Sequence, residues 1–216
     1  MVRVTRVSAS TARLLEPGAP EWGAVGAAEL QLQPTPLSAQ PSVYVLSAWK
    51  ERSYGAVRAV RVQAAHNRES IFFRLSWSED APVTEISDTD VFTDAAAVLF
   101  PLRGGDAPLT SMGSPEEPVL AWYWRADFDA PLSITAEGIG STVRHPDGAL
   151  FSQASHSEGA WSVVVSRLMG SHLSDTVHLM PGQNGKVAFA VWQGANRERA
   201  GLKAVTLEWQ PLEVED

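Results

Sequence analysis

The sequence predicts an all-β protein, a two-sheet antiparallel β-sandwich with long loops and little helix. Three observations carry this. Apolar residues recur with period two along much of the chain, two short runs are apolar on both faces, and turn signals punctuate these runs at short spacing.

Taken in order, Leu30 and Leu32 alternate with Glu29, Gln31 and Gln33, and Val60, Val62 and Ala64 alternate with Arg61 and Gln63. The clearest strand is 71–77, where Ile71, Phe73, Leu75 and Trp77 face one way and Phe72, Arg74 and Ser76 the other. Segments 95–100 and 187–192 are apolar throughout and read as central strands covered on both sides. In 120–124, Leu120, Trp122 and Trp124 share a face; Trp161, Val163 and Val165 do the same further on. The last predicted strand, 202–209, places Lys203 with Val205, Leu207 and Trp209. His66-Asn67-Arg68, Ser78-Glu79-Asp80, Arg103-Gly104-Gly105-Asp106, Glu137-Gly138, Pro146-Asp147-Gly148, Pro181-Gly182 and Asn184-Gly185 mark the turns. Residues 14–18 and 116–118 read as loops, 80–94 as a polar acidic connection, and 33–41, with its prolines, as a long surface loop. No segment carries a long, capped helical pattern. There is no internal repeat, and one domain spanning 1–216 is the simplest organisation.

Composition narrows the function. With 44% hydrophobic residues the chain can bury a substantial core, and eight tryptophans against three tyrosines suit thick sheet cores or the walls of flat pockets. A formal charge of −8, with seventeen basic residues scattered among twenty-five acids, disfavours nucleic-acid binding. The absence of cysteine excludes iron–sulfur clusters held by this chain, thiolate zinc sites, disulfides and covalent c-type haem. No apolar run is long enough to span a bilayer, and basic residues at the start are not followed by the apolar stretch of a signal peptide. A mature form, export alongside a partner, or a cytoplasmic location would each account for that.

The usual catalytic motifs for serine hydrolases, zincins and phosphate loops are missing. The histidines His66, His145, His156, His172 and His178 are dispersed, and even the nearest pair, His172 and His178, suits surface turns better than a metal. Glu116-Glu117 sits between prolines and reads as a solvated loop. Two residues stand out. Met112, followed by Gly113, offers a lone thioether in an otherwise polar loop where a bulky planar group could approach the backbone. A thioether is a soft neutral ligand for haem iron; equally, methionine fills gaps against a sheet. Lys203 lies on the more apolar face of its strand. Buried there, its amine would tend to the neutral form and present a lone pair to iron; near the strand end it could instead reach out to water. Arg197 and Arg199, in the preceding turn, could meet anionic groups or simply be solvated.

The ordered set Phe72-Phe73-Arg74-Leu75-Ser76-Trp77, Asp94-Ala95-Ala96-Ala97-Val98-Leu99-Phe100-Pro101, Ser111-Met112-Gly113, Pro118-Val119-Leu120-Ala121-Trp122-Tyr123-Trp124, Phe189-Ala190-Val191-Trp192-Gln193-Gly194 and Gly201-Leu202-Lys203, with Trp209, resembles the haem b (gamma) subunits of type II molybdenum enzymes in the dimethyl sulfoxide reductase family. Ethylbenzene and dimethylsulfide dehydrogenases and selenate and chlorate reductases are of this type. The resemblance covers about residues 20–210. It implies a sandwich similar to cytochrome domains of the DOMON type, with one non-covalent haem b between the sheets or at their edge. By the same resemblance the axial ligands are Met112 and Lys203, with Lys186 or a histidine as the alternative to Lys203. The implied role is non-catalytic: relay of single electrons between an iron–sulfur subunit with its molybdenum catalytic subunit and an external partner such as a soluble cytochrome c, in a periplasmic heterotrimer. The rival reading is a carbohydrate-binding sandwich without haem, in which Trp122, Trp124 or Trp161 would line an open groove as stacking platforms.

Overall fold

The computed structural model describes residues 1–145, 147–170 and 176–216. Its strands are β1 (Val2–Arg6), β2 (Ala27–Gln31), β3 (Gln33–Pro34), β4 (Ala59–His66), β5 (Ser70–Ser78), β6 (Ala95–Pro101), β7 (Val119–Arg125), β8 (Leu132–Ala136), β9 (Thr142–His145), β10 (Leu150–Ser157), β11 (Ala160–Leu168), β12 (Asn184–Trp192), β13 (Ala204–Val205) and β14 (Gln210–Val214). Two short helices, α1 (Thr11–Leu15) and α2 (Val43–Trp49), accompany them. The all-β expectation holds, and residues 14–15, read as loop, close α1 instead, capped by the Ser10 side chain.

The first sheet runs β10-β11-β5-β4-β1-β14, with β2 also paired to β4; the second runs β12-β6-β7-β8-β9, with β13 on β12 and β3 on β13. β12 belongs to both. Its first half, Asn184 to Val187, pairs with β14, and its second half, Ala188 to Trp192, pairs with β6. Such a strand switching sheets makes the corner of a sandwich. Every described strand pair is antiparallel except those of β1, which runs parallel to both β4 and β14. Three residues of register on each side are all that β1 contributes, too short a parallel pairing for alternation to disclose.

Alternation sorts the side chains as predicted. Ile71, Phe73, Leu75, Trp77, Val163 and Val165 from the first sheet meet Val98, Phe100, Trp122, Trp124, Val187 and Phe189 from the second in one core. Phe73 touches across the gap, its ring 5.8 Å from that of Phe100 and 6.0 Å from that of Trp122. The doubly apolar strands show why both faces needed carbon. The opposite side of β6, β7 and β12, with Ala95, Ala97, Leu99, Val119, Ala121, Ala188, Ala190 and Trp192, is roofed by Ala107, Leu109, Met112, Val205 and Trp209. The opposite side of the first sheet is covered by Leu14 and Trp22 over Phe72 and Val164. The space between the sheets is thus filled with aromatic side chains, and the roof over the second sheet is where the two singled-out residues lie.

Candidate functional site

After β12 the chain turns through Arg197 and Ala200, both in left-handed backbone geometry, and returns as β13. The register Val191 to Ala204 makes this the expected hairpin, but its second strand is only Ala204–Val205, not 202–209. Leu207 is consequently exposed and Trp209 half-buried. Lys203 stands just before β13, on the Val205 side. Its side chain is 1% exposed and its Nζ lies 5.1 Å from the centroid of the Trp192 ring. Among the described residues it has no carboxylate partner. Burial alone pushes its pKa down to about 7, so near neutrality the amine is substantially uncharged and carries a free lone pair.

The partner the amine does have is Met112. Nζ donates to the thioether Sδ at 2.6 Å, bridging residues 91 positions apart. The Met112 loop is shaped for this. Leu109 and Ala107 anchor it on the outer face of the second sheet. The N–H of Met112 donates to the Leu109 carbonyl and that of Gly113 to the Pro108 carbonyl, at 3.1 and 2.9 Å. Met112 itself is left-handed, with φ of 61°, a conformation disfavoured by about 1–2 kcal/mol for a residue with a Cβ. Gly113 follows at φ of 85°, and a Cβ there would lie 2.7 Å from the Ala136 carbonyl and 2.9 Å from the backbone of Glu117 and Val119. Only glycine fits, so the loop lies flat against the ends of β7 and β8 while the methionine turns inward. The Met112 carbonyl accepts from Gly138 at 3.0 Å, and Trp209 Nε1 donates to the Ala107 carbonyl at 2.8 Å, tying the loop to the C-terminal segment.

Chemically the pair is two neutral donors converging on one buried point. It offers neither a nucleophile–base relay nor a carboxylate cage, and no group of three or more His, Cys, Asp or Glu side chains suited to a metal ion occurs among the described residues. A soft thioether and a desolvated amine do suit an iron centre that needs two axial donors and no added charge. Iron bonded to both would stand between them and hold them wider apart than 2.6 Å. Both side chains are unbranched with several rotatable bonds, and methionine in particular adapts to such a change.

The other residues singled out in the sequence do not join this point. Lys186 is 38% exposed in its side chain and pairs with Asp106 at 2.6 Å. His145 bonds Thr135, and His156 meets the Glu79 carbonyl. His66 is fully buried at the end of β4. His178 lines a shallow cavity with Phe100, Leu102 and Lys186, and His172 lies outside the described residues. Arg197 pairs with Asp90 at 2.7 Å and Arg199 stacks over Phe92, so neither faces the site. Glu116 is exposed, but Glu117 turns in towards Gly105. Trp122, Trp124 and Trp161 are 1%, 5% and 5% exposed, packed inside the sandwich, and form no open stacking platform. Sequence reasoning missed Thr35 and Gln40, placed in a surface loop by their polar, proline-bearing context. Both are buried, and both reach the backbone leading into Lys203.

Residues 19–150 and 144–204 match the family described as ethylbenzene dehydrogenase. A candidate haem subunit of a respiratory nitrate reductase from Haloferax mediterranei is 34% identical over 194 residues, covering 90% of this chain and 66% of that protein. The gamma subunit of chlorate reductase from Ideonella dechloratans is 38% identical, covering 73% of this chain and 65% of its own length. The gamma subunit of dimethylsulfide dehydrogenase from Rhodovulum sulfidophilum is 36% identical, covering 68% and 57% respectively. The chain therefore spans somewhat less than two thirds of the length of these relatives. Among solved structures, a candidate carbohydrate-binding protein from Bacteroides uniformis aligns with TM-score 0.60 at 9% identity, covering 99% of this chain and 98% of its own. A family 9 carbohydrate-binding module from Caldicellulosiruptor kristjanssonii in complex with glucose aligns at 0.51 and 7%, covering 99% and 95%. At such identities the likeness is one of fold.

Proposed function

Because this chain belongs to the ethylbenzene dehydrogenase family, we propose that it is a non-catalytic electron-transfer subunit that holds one haem b, with Met112 and Lys203 as the axial ligands. The observation that carries this reading is the buried Lys203 amine, with no carboxylate partner among the described residues, meeting the Met112 thioether. Burying an amine without a counter-charge is costly, and an iron ligand gives that cost a purpose.

A haem held by Met112 and Lys203 would supply one-electron redox chemistry at this point. Lys203 contributes a neutral nitrogen donor, and its desolvation under the roof of the second sheet keeps the lone pair free near neutral pH. Met112 contributes a soft sulfur donor, which favours the reduced state. If Met112 and Lys203 both bound the iron, no protein-free site would remain for oxygen, which would favour relay over oxygen activation. Trp192, Leu109 and Val205 keep the surroundings apolar, which together with ligand identity sets the potential.

Two relatives carry the names of gamma subunits, which supports assembly with further subunits; in this reading those are a catalytic molybdenum subunit and an iron–sulfur subunit, with a soluble cytochrome as outer partner and a periplasmic location. Among the described residues no helix is long and apolar enough to cross a membrane. The fold likeness to carbohydrate-binding proteins does not extend to function in this reading, since the tryptophans that would stack on sugars are buried.

The test is reconstitution of the purified chain with haem, followed by pyridine haemochrome assay and a potentiometric titration. The expected result is one haem per chain and a single reversible one-electron wave. Failure to retain haem under every loading condition, with binding of a soluble oligosaccharide, would replace this function with the carbohydrate one.

A further inference from the structure

We propose that Thr35 and Gln40, on the strap of chain between β3 and the start of β4, are positioning residues that set where the Lys203 amine stands. The inference rests on the reading of Lys203 as a ligand and adds how the ligand is aimed.

A lysine nitrogen ends a flexible stem, so its location depends on how firmly the backbone beneath it is held. Here the strand scaffold is thin. β13 has two residues, and its outer neighbour β3 also has two, one of them Pro34, which has no N–H to offer the ladder. The strap makes up the shortfall. The Thr35 N–H donates to the Lys203 carbonyl at 3.1 Å, extending the β3–β13 pairing by one residue onto the lysine itself. Two residues earlier the Gly201 carbonyl accepts from Gln40 Nε2 at 3.0 Å and from the Thr35 hydroxyl. The Tyr54 hydroxyl donates to the Thr35 carbonyl, and Tyr54 stands edge-on to Trp49 at 5.7 Å. Between them Leu202, 2% exposed, packs against Trp49 and Tyr54.

The close fit is confirmed at Gly201, where a Cβ would come within 2.2 Å of Gln40 Oε1 and 2.8 Å of its Nε2. Thr35 and Gln40 are 1% and 6% exposed. Buried polar side chains gathered on one carbonyl fix the segment's position along the sheet, and with it the point from which the lysine stem departs. Remote residues that hold a ligand in line are a general need of metal sites.

The experiment compares haem-loaded wild type with Lys203→Ala, Thr35→Val, Gln40→Leu, the double variant, Thr35→Ser and Gly201→Ala. Gly201→Ala displaces the Gln40 amide without substituting either positioning residue. Spin state by absorption and magnetic circular dichroism, and the midpoint potential, are read on the loaded protein. The cofactor-free chain is labelled with an amine-selective acetylating reagent and mapped by mass spectrometry. It has three lysines, so Lys50 and Lys186 act as internal controls for Lys203.

The double variant is expected to shift a large fraction to high spin, to move the potential, and to raise the labelling of Lys203 about tenfold over wild type, the loss of one to two buried hydrogen bonds. Gly201→Ala should move the same readouts in the same direction, and Thr35→Ser should restore the wild-type spectrum. A spectrum, potential and Lys203 protection all unchanged in the double variant and in Gly201→Ala, while Lys203→Ala alters the spectrum and potential, would overturn the positioning role. A spectrum indifferent to Lys203→Ala would instead overturn the ligand assignment beneath it, and the labelling of the cofactor-free chain would still decide whether Thr35 and Gln40 hold the lysine.

Discussion

At the scale of the residue, burying Lys203 without a counter-ion leaves a measurable mark on the cofactor-free chain. The amine titrates near its ordinary value of 10.5 when unfolded and at about 7 when folded. Between these limits the unfolded chain holds the extra proton, so stability rises with pH across that window, and below 7 the full cost is present. That cost is on the order of 5 kcal/mol. Chemical denaturation of the cofactor-free chain should therefore show greater stability at pH 9 than at pH 7. Lys203→Met should flatten the difference and stabilise the chain at pH 7. Equal pH slopes for the two proteins would show that the amine is not desolvated. Gly113→Ala tests the other ligand. Its added Cβ meets backbone on both sides, at a φ that resists it, so haem affinity should fall about tenfold or more while the remaining sandwich stays folded by circular dichroism. Both proposed ligand residues stood out in the sequence, Met112 as a lone thioether before a glycine and Lys203 as a charge on an apolar face, but a gap-filling methionine and a lysine reaching out to water read the same way, and only the family resemblance pointed to ligation. Thr35 and Gln40 did not stand out, because their partners lie more than 160 positions away and nothing local distinguishes a buried polar strap from a surface one.

At the scale of the element, period-two patterning located β4, β5, β7 and β11 and assigned their faces, because each has a side sealed in the central core, and runs apolar throughout located β6 and β12, whose two sides are both covered. The same rule misled at 202–209. Of its alternating apolar residues only Val205 and Trp209 reach the roof while Leu207 is exposed, and β13 stops at Val205 once β12 and β3 have no more register to share. The short parallel strand β1 and the helices α1 and α2 were equally beyond reach, since each is held by tertiary contact rather than by propensity. Phe73 is the element-scale probe. It is fully buried on β5 and its ring reaches Phe100, Trp122 and Phe189 on the opposite sheet. Phe73→Ala should cost about 3–5 kcal/mol in denaturant unfolding. A cost below about 1 kcal/mol would mean that the two sheets do not close on each other as described.

At the scale of the molecule, β12 ties the sheets together, and its second half carries Trp192 beneath the Lys203 amine while its neighbour β6, with β7 beyond it, floors the roofed compartment. The site is built on the outer face of the second sheet, with its two donors delivered by a loop and a hairpin return. The formal charge of −8 adds a long-range effect. Electron exchange with a basic cytochrome should slow as ionic strength rises, and a salt-independent rate would remove electrostatic steering from the account. The central claim, that Met112 and Lys203 together hold the haem iron, is tested most directly by the absorption spectrum of the oxidised and dithionite-reduced protein in wild type, Met112→Ala and Lys203→Ala. The account predicts a low-spin b-type spectrum in the wild type that turns high-spin, or is lost, in each variant. A low-spin spectrum that survives either substitution unchanged would contradict it.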